Sequence, residues 1–396
     1  MHTIHIMVIA YLIASFCIVL LTCYLYIKIK LNFWSIQPVF HIYNLRYWLY
    51  PPGIIQHQLP PKNKYYNWLI KCDKVENITL SEQEQLYFLI KTHYLRKETV
   101  QYNPSISAVL EYFKHHNTSP FISLQYQIKT LQNNTNITYE KRLIACMTSR
   151  RLIGKLVDKP INVSYVDFLC VHKKHRKSGK APMQIYTHYH KSREKGADPI
   201  FLFKREGNVN FMVPVTIYNA YAFSITKWKT PNFNFPNNIS CVQINTSNIE
   251  LLFYYFKEIK QHFPCFLMPY YTNFKNLIKF SLIIPYILLD KQTPVGVYIY
   301  RYPNTSYNGQ DSIECIASYC SKGYMQIFQN NFVNTIILLK KKYRFSIFLI
   351  ENISYNTHLL KLILSRDVPK WECPMAYYFY NFAIQPFFSP NVMIIS

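Results

Sequence analysis

The part of the sequence best suited to chemistry is a basic loop between a predicted strand and a predicted helix. Ser164–Val171 has the apolar character of a strand, and Ala181–Glu194 is a predicted helix with Pro182 at its first position. The loop combines cations with a glycine and a small alanine, namely Lys173, Lys174, Arg176, Lys177, Gly179, Lys180 and Ala181. Glycine lets the backbone approach a ligand, and free N–H groups at a helix start attract an anion. The pattern therefore predicts a pyrophosphate site.

The overall charge also indicates an anionic partner. The 396 residues include 44 Lys and Arg against 20 Asp and Glu, a formal net charge of +24, and 50% of them are hydrophobic. This apolar fraction excludes a disordered chain, and the charge favours nucleic acid, a membrane surface or a phosphate-bearing ligand. For the loop, a solvated surface loop and a nucleic-acid patch are the alternatives. The Arg176-x-x-Gly179-x-Ala181 spacing argues against a solvated surface loop. The N-terminal membrane anchor described below argues against a nucleic-acid patch, so we expect no nucleic-acid partner.

The ten cysteines indicate neither a metal centre nor a disulfide framework. The chain has no C-x-x-C pair, and the ligand-like groups around His172 and Cys315 lack a second half at metal-binding spacing. We therefore predict no metal site and no prosthetic group. The cysteines are interpreted as buried thiols in a reducing compartment.

Several motifs resemble one enzyme family. The R-x-x-G-x-[GA] pattern after a strand resembles the acyl-CoA loop of the GNAT acyltransferase superfamily, and the wider stretch from Phe168 to Pro182 resembles the signature of the N-myristoyltransferases (glycylpeptide N-tetradecanoyltransferases). Three further segments resemble that family in order and spacing: Phe33–Val39, 86–104 and Tyr377–Phe382. The resemblance implies two GNAT-like halves around mixed sheets, the first binding acyl-CoA and the second the acceptor peptide.

The resemblance also implies roles for particular residues. The backbone N–H groups of Phe168 and Leu169 would form an oxyanion hole for the thioester carbonyl. The terminal carboxylate of Ser396, which follows an apolar run, would deprotonate the N-terminal glycine amine of an acceptor protein; a frayed chain end is the alternative. The residues implied to bind the acyl-CoA (myristoyl-CoA) co-substrate are Phe33, Trp34, Lys173, Arg176, Lys177, Gly179, Lys180 and Ala181.

Two segments depart from the family pattern on the acceptor side. Residues 203–207 include charged residues where the family has small polar ones, and Asp367–Trp371 stands where the family has Gly-Asp-Gly. The acyl-CoA half therefore keeps the family pattern, and the acceptor half departs from it.

The first segment predicts a membrane anchor. Met7–Ile27 carries no charge and is long enough to span the hydrocarbon core of a bilayer. It lacks the basic start and small-residue cleavage site of a signal peptide, and Lys28 and Lys30 follow it, which predicts a cytosolic body. Because no Asp or Glu precedes Asp73, the following stretch could also lie against anionic lipid. A buried apolar helix is the alternative to an anchor.

The remainder has an α/β or α+β pattern. Residues 31–70, rich in proline and aromatic residues, are predicted to form an extended arm. Helices are predicted after Ser81 as N-cap, from Pro104–Ser105 and near Gln326–Lys342. Strands are predicted over Leu124–Leu131 and Arg142–Ser149, around a polar loop at 132–138, and over Phe345–Ile350. The predicted organisation is an anchor at 1–30, the arm at 31–70, an acyl-CoA half at 71–200 and an acceptor half at 201–396.

We therefore expect a single-pass membrane acyltransferase that moves a long acyl chain from acyl-CoA to an N-terminal amine. The alternatives are a catalytically inactive relative that binds acyl-CoA or protein, and a basic membrane or virion structural protein. Acyl-CoA binding without turnover would identify the first, and the absence of acyl-CoA binding the second. A side-chain nucleophile is not indicated, because Ser178 lacks a G-x-S-x-G context and Cys170 lies inside a predicted strand.

Overall fold

A computed structural model describes residues 2–95, 98–133, 136–207, 211–231, 233 and 235–396. The α-helices are α1 (His2–Lys30), α2 (Leu45–Leu49), α3 (Leu80–His93), α4 (Ile106–Leu110), α5 (Lys180–Glu194), α6 (Ile249–His262), α7 (Tyr271–Lys279), α8 (Met325–Tyr343) and α9 (Asn356–Leu364). The strands are β1 (Gly53–Ile54), β2 (Lys71–Lys74), β3 (Val100–Tyr102), β4 (Phe121–Asn133), β5 (Asn136–Leu156), β6 (Lys159–Val171), β7 (Phe201–Glu206), β8 (Thr216–Ser224), β9 (Ile239–Gln243), β10 (Cys265–Pro269), β11 (Ile283–Asp290), β12 (Thr293–Arg301), β13 (Thr305–Tyr307), β14 (Gln310–Cys320), β15 (Ile347–Glu351), β16 (Trp371–Tyr380), β17 (Phe382–Ala383) and β18 (Val392–Ile394).

Most strands form one mixed sheet, which confirms the predicted α/β fold. Its main path runs β18-β10-β5-β6-β7-β16-β8-β15-β14-β12-β11-β9. Strand β16, late in the chain, pairs with both β7 and β8 and so joins the two parts of the sheet. Strands β6 and β7 are parallel but pair only where Ser164–Tyr165 meets Phe201–Leu202. Beyond that point the two strands separate, and the sheet opens.

The N-terminal helix α1 has the length and composition of a membrane span. Its segment Met7–Lys30 has a mean hydropathy of 2.5, and its most apolar stretch is not buried against the rest of the protein. The alternative of a buried apolar helix is therefore not what the structure shows. The membrane location of this helix and its orientation stay predictions.

Two helix starts differ from the sequence predictions. Helix α3 is capped by Thr79 and not by Ser81, because Thr79 and Glu82 form a reciprocal capping box that satisfies two free N–H groups. Helix α5 begins at Lys180, so Pro182 occupies its third position. Proline is tolerated there because the first turn has no intrahelical acceptor for its N–H groups.

The hairpin of β4 and β5 is longer than predicted. Both strands extend through most of the polar loop predicted at 132–138, and their pairing continues to Asn133 opposite Asn136. Residues 134 and 135 of that loop lie outside the described residues. The helix predicted near Gln326–Lys342 is present as α8, and Pro104–Ser105 precedes α4, with the Ser105 hydroxyl accepting from the Ala108 N–H.

The last strand is buried on both faces. Strand β18 pairs in parallel with β10, and the Ile395 N–H continues the pairing by donating to the Leu267 carbonyl at 2.9 Å. Met393 and Ile395 pack into one apolar cluster, and Val392 and Ile394 into another. Because alternate residues of a strand face opposite sides, the apolar run fills both layers and holds the chain end inside. The alternative of a frayed end is therefore wrong.

Candidate active site

A cavity of about 350 Å³ occupies the opening between β6 and β7. Its wall includes Val166, Asp167 and Leu169 from β6 and Phe203 and Lys204 from β7. The remaining lining residues are Trp34, Tyr94, Met147, Ile185, Tyr189, Phe201, Arg205 and Tyr380. A largely apolar wall with a few polar groups, at a volume near the lower end for small-molecule sites, is typical of a ligand pocket.

Segments that are distant in the sequence meet at this cavity. Trp34, from the arm, stacks on Phe203 with 6.1 Å between ring centroids, and Phe203 stacks on Tyr378 at 5.5 Å. The Tyr380 hydroxyl donates to the Gln37 side-chain oxygen at 2.6 Å, so the first and last family-like segments are in direct contact. Phe33 is buried beside Trp34, with 5.0 Å between their ring centroids, and does not line the cavity.

The backbone of β6 is irregular where the oxyanion hole is predicted. The pairing with β5 shifts register between Met147 opposite Leu169 and Ser149 opposite Val166. The Phe168 N–H in this irregular stretch donates to the side-chain oxygen of Thr148 at 3.1 Å. Leu169 lines the cavity, whereas the Phe168 ring is buried against Tyr94, with 5.3 Å between their ring centroids. Of the two predicted donors, the Phe168 N–H is therefore already bound to a hydroxyl.

The basic loop follows β6 and wraps the start of α5. Lys177 and Gly179 both have positive φ angles, of 61° and 75°. A Cβ at Gly179 would meet no atom within 4 Å, so the backbone angle is the reason for a glycine here. The N–H groups of Lys180 and Ala181 lie in the first turn of α5, where a helix offers them no acceptor. Free N–H groups at a helix start, with cations around them, can bind an anion.

Arg176 contributes to the structure of this loop. Its guanidinium donates to the Val171 carbonyl at 3.2 Å and to the His93 carbonyl at 2.5 Å, so the side chain ties the loop to α3. The buried His172 accepts from the Lys174 N–H through Nδ1 at 3.2 Å. Lys173 and Lys177 are exposed to solvent. Arg176 is thus partly engaged by the protein, whereas these lysines face outward.

The chain end lies inside the protein, beside an arginine. Ser396 is 3% exposed, and the Arg301 guanidinium donates to its main-chain oxygen at 3.1 Å. Arg301 also pairs with Glu314 at 2.6 Å. Burial raises the pKa of Tyr165, and a hydrogen bond with Ser396 acts in the opposite direction.

Charged side chains that the sequence analysis did not single out form a cluster behind the cavity. Lys204 pairs with the buried Glu351. Burial opposes the charge of Lys204, but Glu351, Tyr377 and Glu314 together outweigh burial and raise the pKa of Lys204. Burial raises the pKa of Glu351 to about 7, and the nearby Glu314 acts in the same direction. Burial also opposes ionisation of Glu314, but Arg301 and Lys204 outweigh it and lower its pKa to about 2. The charges at 203–207 therefore include one that belongs to the site.

A second buried ion pair lies next to the predicted oxyanion hole. Arg150 donates through Nε to both carboxylate oxygens of Asp167, at 3.0 and 3.1 Å. Burial raises the pKa of Asp167, against the opposing effect of Arg150. The sequence does contain a signal for these ion pairs, namely charged residues inside otherwise apolar strands, because such residues are rarely buried without a partner. Among the described residues, no group of three or more His, Cys, Asp or Glu is arranged to hold a metal ion.

Part of the chain matches a known protein family in sequence. Residues 55–195 match the sequence model described as myristoyl-CoA:protein N-myristoyltransferase, N-terminal domain. This range includes the signature strand β6 and the basic loop. No curated protein sequence matches the chain.

Solved structures of the Saccharomyces cerevisiae N-myristoyltransferase share the fold. A structure with bound myristoyl-CoA has a TM-score of 0.69 and 13% identity, and the match covers 92% of this chain and 99% of that chain. A second myristoyl-CoA structure has a TM-score of 0.68 and 13% identity, covering 92% and 94%. A third, with myristoyl-CoA and inhibitors, has a TM-score of 0.63 and 12% identity, covering 92% and 93%. The resemblance predicted from the sequence is therefore confirmed, in sequence for the N-terminal domain and in fold for nearly the whole chain.

Proposed function

We propose that this protein transfers a long acyl chain from acyl-CoA to the N-terminal amine of an acceptor protein. The observation that carries the proposal is the apolar cavity in the opening between β6 and β7, close to the basic loop that follows β6. The cavity suits an acyl chain, and the loop suits the phosphates of CoA. The match of residues 55–195 to the family model and the myristoyl-CoA bound by the yeast enzyme support the same assignment.

The acyl-CoA would bind along the line from the loop to the cavity. The N–H groups of Lys180 and Ala181 and the side chains of Lys173 and Lys177 would contact the phosphates. Beyond Tyr165 and Leu202, β6 and β7 stay paired with β5 and β16 but no longer pair with each other, so main-chain groups on the two edges that face the opening lack ladder partners. Such groups need partners when buried, and the amides of the CoA arm would supply them.

In the transfer step, the acceptor nitrogen attacks the thioester carbonyl carbon, the new C–N bond forms, and the C–S bond breaks with release of the CoA thiolate. The N–H groups of Phe168 and Leu169 would stabilise the negative charge on the carbonyl oxygen. For Phe168 this requires that its bond to the Thr148 hydroxyl yields to the oxyanion.

The acceptor amine must lose a proton before or during attack. We propose the α-carboxylate of Ser396 as the base, because it is buried and held by Arg301. A buried carboxylate is a stronger base than one in water, whereas the Arg301 charge lowers its basicity. The proton that leaves the amine ends on the CoA thiolate or on solvent.

We further propose that α1 anchors the protein in a membrane with the body on the cytosolic side. The support is the span Met7–Lys30, whose last turn carries Lys28 and Lys30. In microsomes, protease added outside should digest the body. The N-x-[ST] glycosylation sequons that begin at Asn238 and Asn304 should stay unglycosylated. Protection of the body or glycans at those residues would reverse the orientation.

The transfer itself is tested by mass spectrometry. Full-length protein is incubated with myristoyl-CoA and a library of peptides with N-terminal glycine, and a second library carries other first residues. A gain of one acyl chain at the peptide N-terminus supports the proposal. Binding of myristoyl-CoA without acylated product from either library would favour an inactive acyl-CoA-binding relative, an alternative supported by the bond that occupies the Phe168 N–H.

A further inference from the structure

The arm that follows α1 exposes a small apolar surface, here called the arm surface and defined by Ile42, Leu45, Leu49 and Tyr50. Leu45, Leu49 and Tyr50 are 75%, 73% and 75% exposed. Leu45 and Leu49 are four residues apart in α2, so they lie on the same face of that helix. The next residue, Tyr50, extends this apolar surface beyond the end of α2.

The other face of α2 is already used for packing. Tyr47 and Trp48 both contact the buried Phe40, with ring centroids 5.7 and 5.1 Å apart, and the Trp48 indole donates to the Ile42 carbonyl at 3.0 Å. The arm surface is therefore exposed to solvent even though the segment is folded. It is a folded element that presents leucines and a tyrosine where a water-exposed helix would carry polar residues.

The charge of the chain segment that carries this surface is of one sign. Residues 1–72 contain no Asp or Glu, and Arg46 is exposed within α2 itself. Apolar side chains next to exposed cations, without acids, are the composition of segments that lie in the interface of an anionic bilayer.

The arm is also joined closely to the end of α1. Asn32 lies two residues after the end of α1. Lys64 and Tyr65 both donate to its side-chain oxygen, at 2.8 and 3.1 Å. Trp34, which lines the cavity, follows Asn32 by two residues. A bilayer that holds α1 would therefore lie close to both the arm and the cavity wall.

We propose that the arm surface inserts into the headgroup region of the same anionic bilayer that α1 spans, as a second membrane contact. This inference rests on the proposed anchor. It places the acyl-CoA cavity at the membrane surface, where both long-chain acyl-CoA and membrane-bound acceptors concentrate.

The test uses full-length protein reconstituted into vesicles that contain phosphatidylserine. The photoreactive p-benzoylphenylalanine replaces Tyr50 in one variant and Tyr254 in a matched control. Tyr254 is 67% exposed in α6. Glu250 and Glu258 at four-residue spacing outnumber Lys257 at three-residue spacing on this face, so anionic lipid should avoid it. After illumination, mass spectrometry should find lipid adducts at position 50 and not at position 254. No adduct at position 50, or equal adducts at both positions, would overturn the proposal.

Two further measurements separate this contact from the anchor. Replacement of phosphatidylserine by phosphatidylcholine should lower the adduct yield at position 50. Arg46→Gln in the protein should also lower it, by up to about fivefold, because one cation is lost. An unchanged yield in phosphatidylcholine would overturn the anionic assignment. Alkaline carbonate extraction tests α1 by itself: release of the protein would refute the anchor, whereas retention without adducts at position 50 would refute the arm contact alone.

Discussion

The bond between the Phe168 N–H and the Thr148 side chain predicts that removal of the Thr148 hydroxyl should lower the stability of the protein and raise its kcat. Thr148 is fully buried, and its hydroxyl accepts the N–H that we propose for the oxyanion. Thr148→Val keeps the shape of the side chain and removes this acceptor. In the free enzyme the Phe168 N–H then lacks its partner, whereas in the transition state the oxyanion can take it.

The two effects can be sized separately. Leaving one buried N–H unpaired costs about 1–3 kcal/mol of stability, which lowers the melting temperature by a few degrees. A net hydrogen bond is worth about 0.5–1.5 kcal/mol, and since 1.36 kcal/mol corresponds to tenfold in rate, kcat should rise about two- to tenfold. The variant should therefore be less stable and faster.

The assay measures initial rates of acylated-peptide formation at saturating myristoyl-CoA, together with thermal unfolding. Thr148→Ser is the matched control, because it keeps the hydroxyl and should keep the wild-type kcat. A folded Thr148→Val protein that binds myristoyl-CoA normally but turns over tenfold more slowly would refute the reasoning. The Thr148 hydroxyl would then be required for transfer and would not compete with it.

Three further predictions concern the loop, the chain end and a buried histidine. Lys173→Ala should weaken CoA binding about tenfold at low salt, measured by calorimetry, because a charge-assisted phosphate contact is lost; an unchanged affinity would remove the pyrophosphate assignment. Deletion of residues 395–396, or a C-terminal tag, should lower kcat about 10²-fold while myristoyl-CoA binding persists, and a tagged protein at full rate would exclude the Ser396 base. His188 is buried between two serine hydroxyls, and burial lowers its pKa to about 3, below the unfolded value of 6.5. Its contribution to stability should therefore be present above pH 6.5 and decline towards pH 3 by up to about 1.4 kcal/mol per unit. In His188→Gln, urea unfolding at pH 7 and 5.5 should show a smaller difference than in the wild type, and an equal difference would contradict the neutral-histidine assignment.

Local pattern predicted the elements that local interactions control. The strand at 164–171, the helix near 326–342 and the loop that joins β6 to α5 are present, because apolar runs, caps and helix starts depend on neighbouring residues. The start of α3 was predicted two residues late because Thr79-x-x-Glu82 offers a better cap than Ser81. The loop between β4 and β5 was predicted too long because pairing across a hairpin extends polar residues into strands that their propensity does not favour.

The amino-acid sequence alone specified the apolar N-terminal helix through an uncharged run, the excess of positive charge through composition, and the family resemblance through motifs and their spacing. Only the tertiary structure decided which residues share the site. Trp34, Leu169, Phe203 and Tyr380 line one cavity because β7 separates from β6 and because the arm and β16 both close over the opening. Arg301 meets Ser396 because β18 pairs with β10 and carries the chain end inward. Such contacts join residues that are far apart in the sequence, and they arise from the register of the sheet and the burial of its two faces, which a linear pattern of residues does not specify.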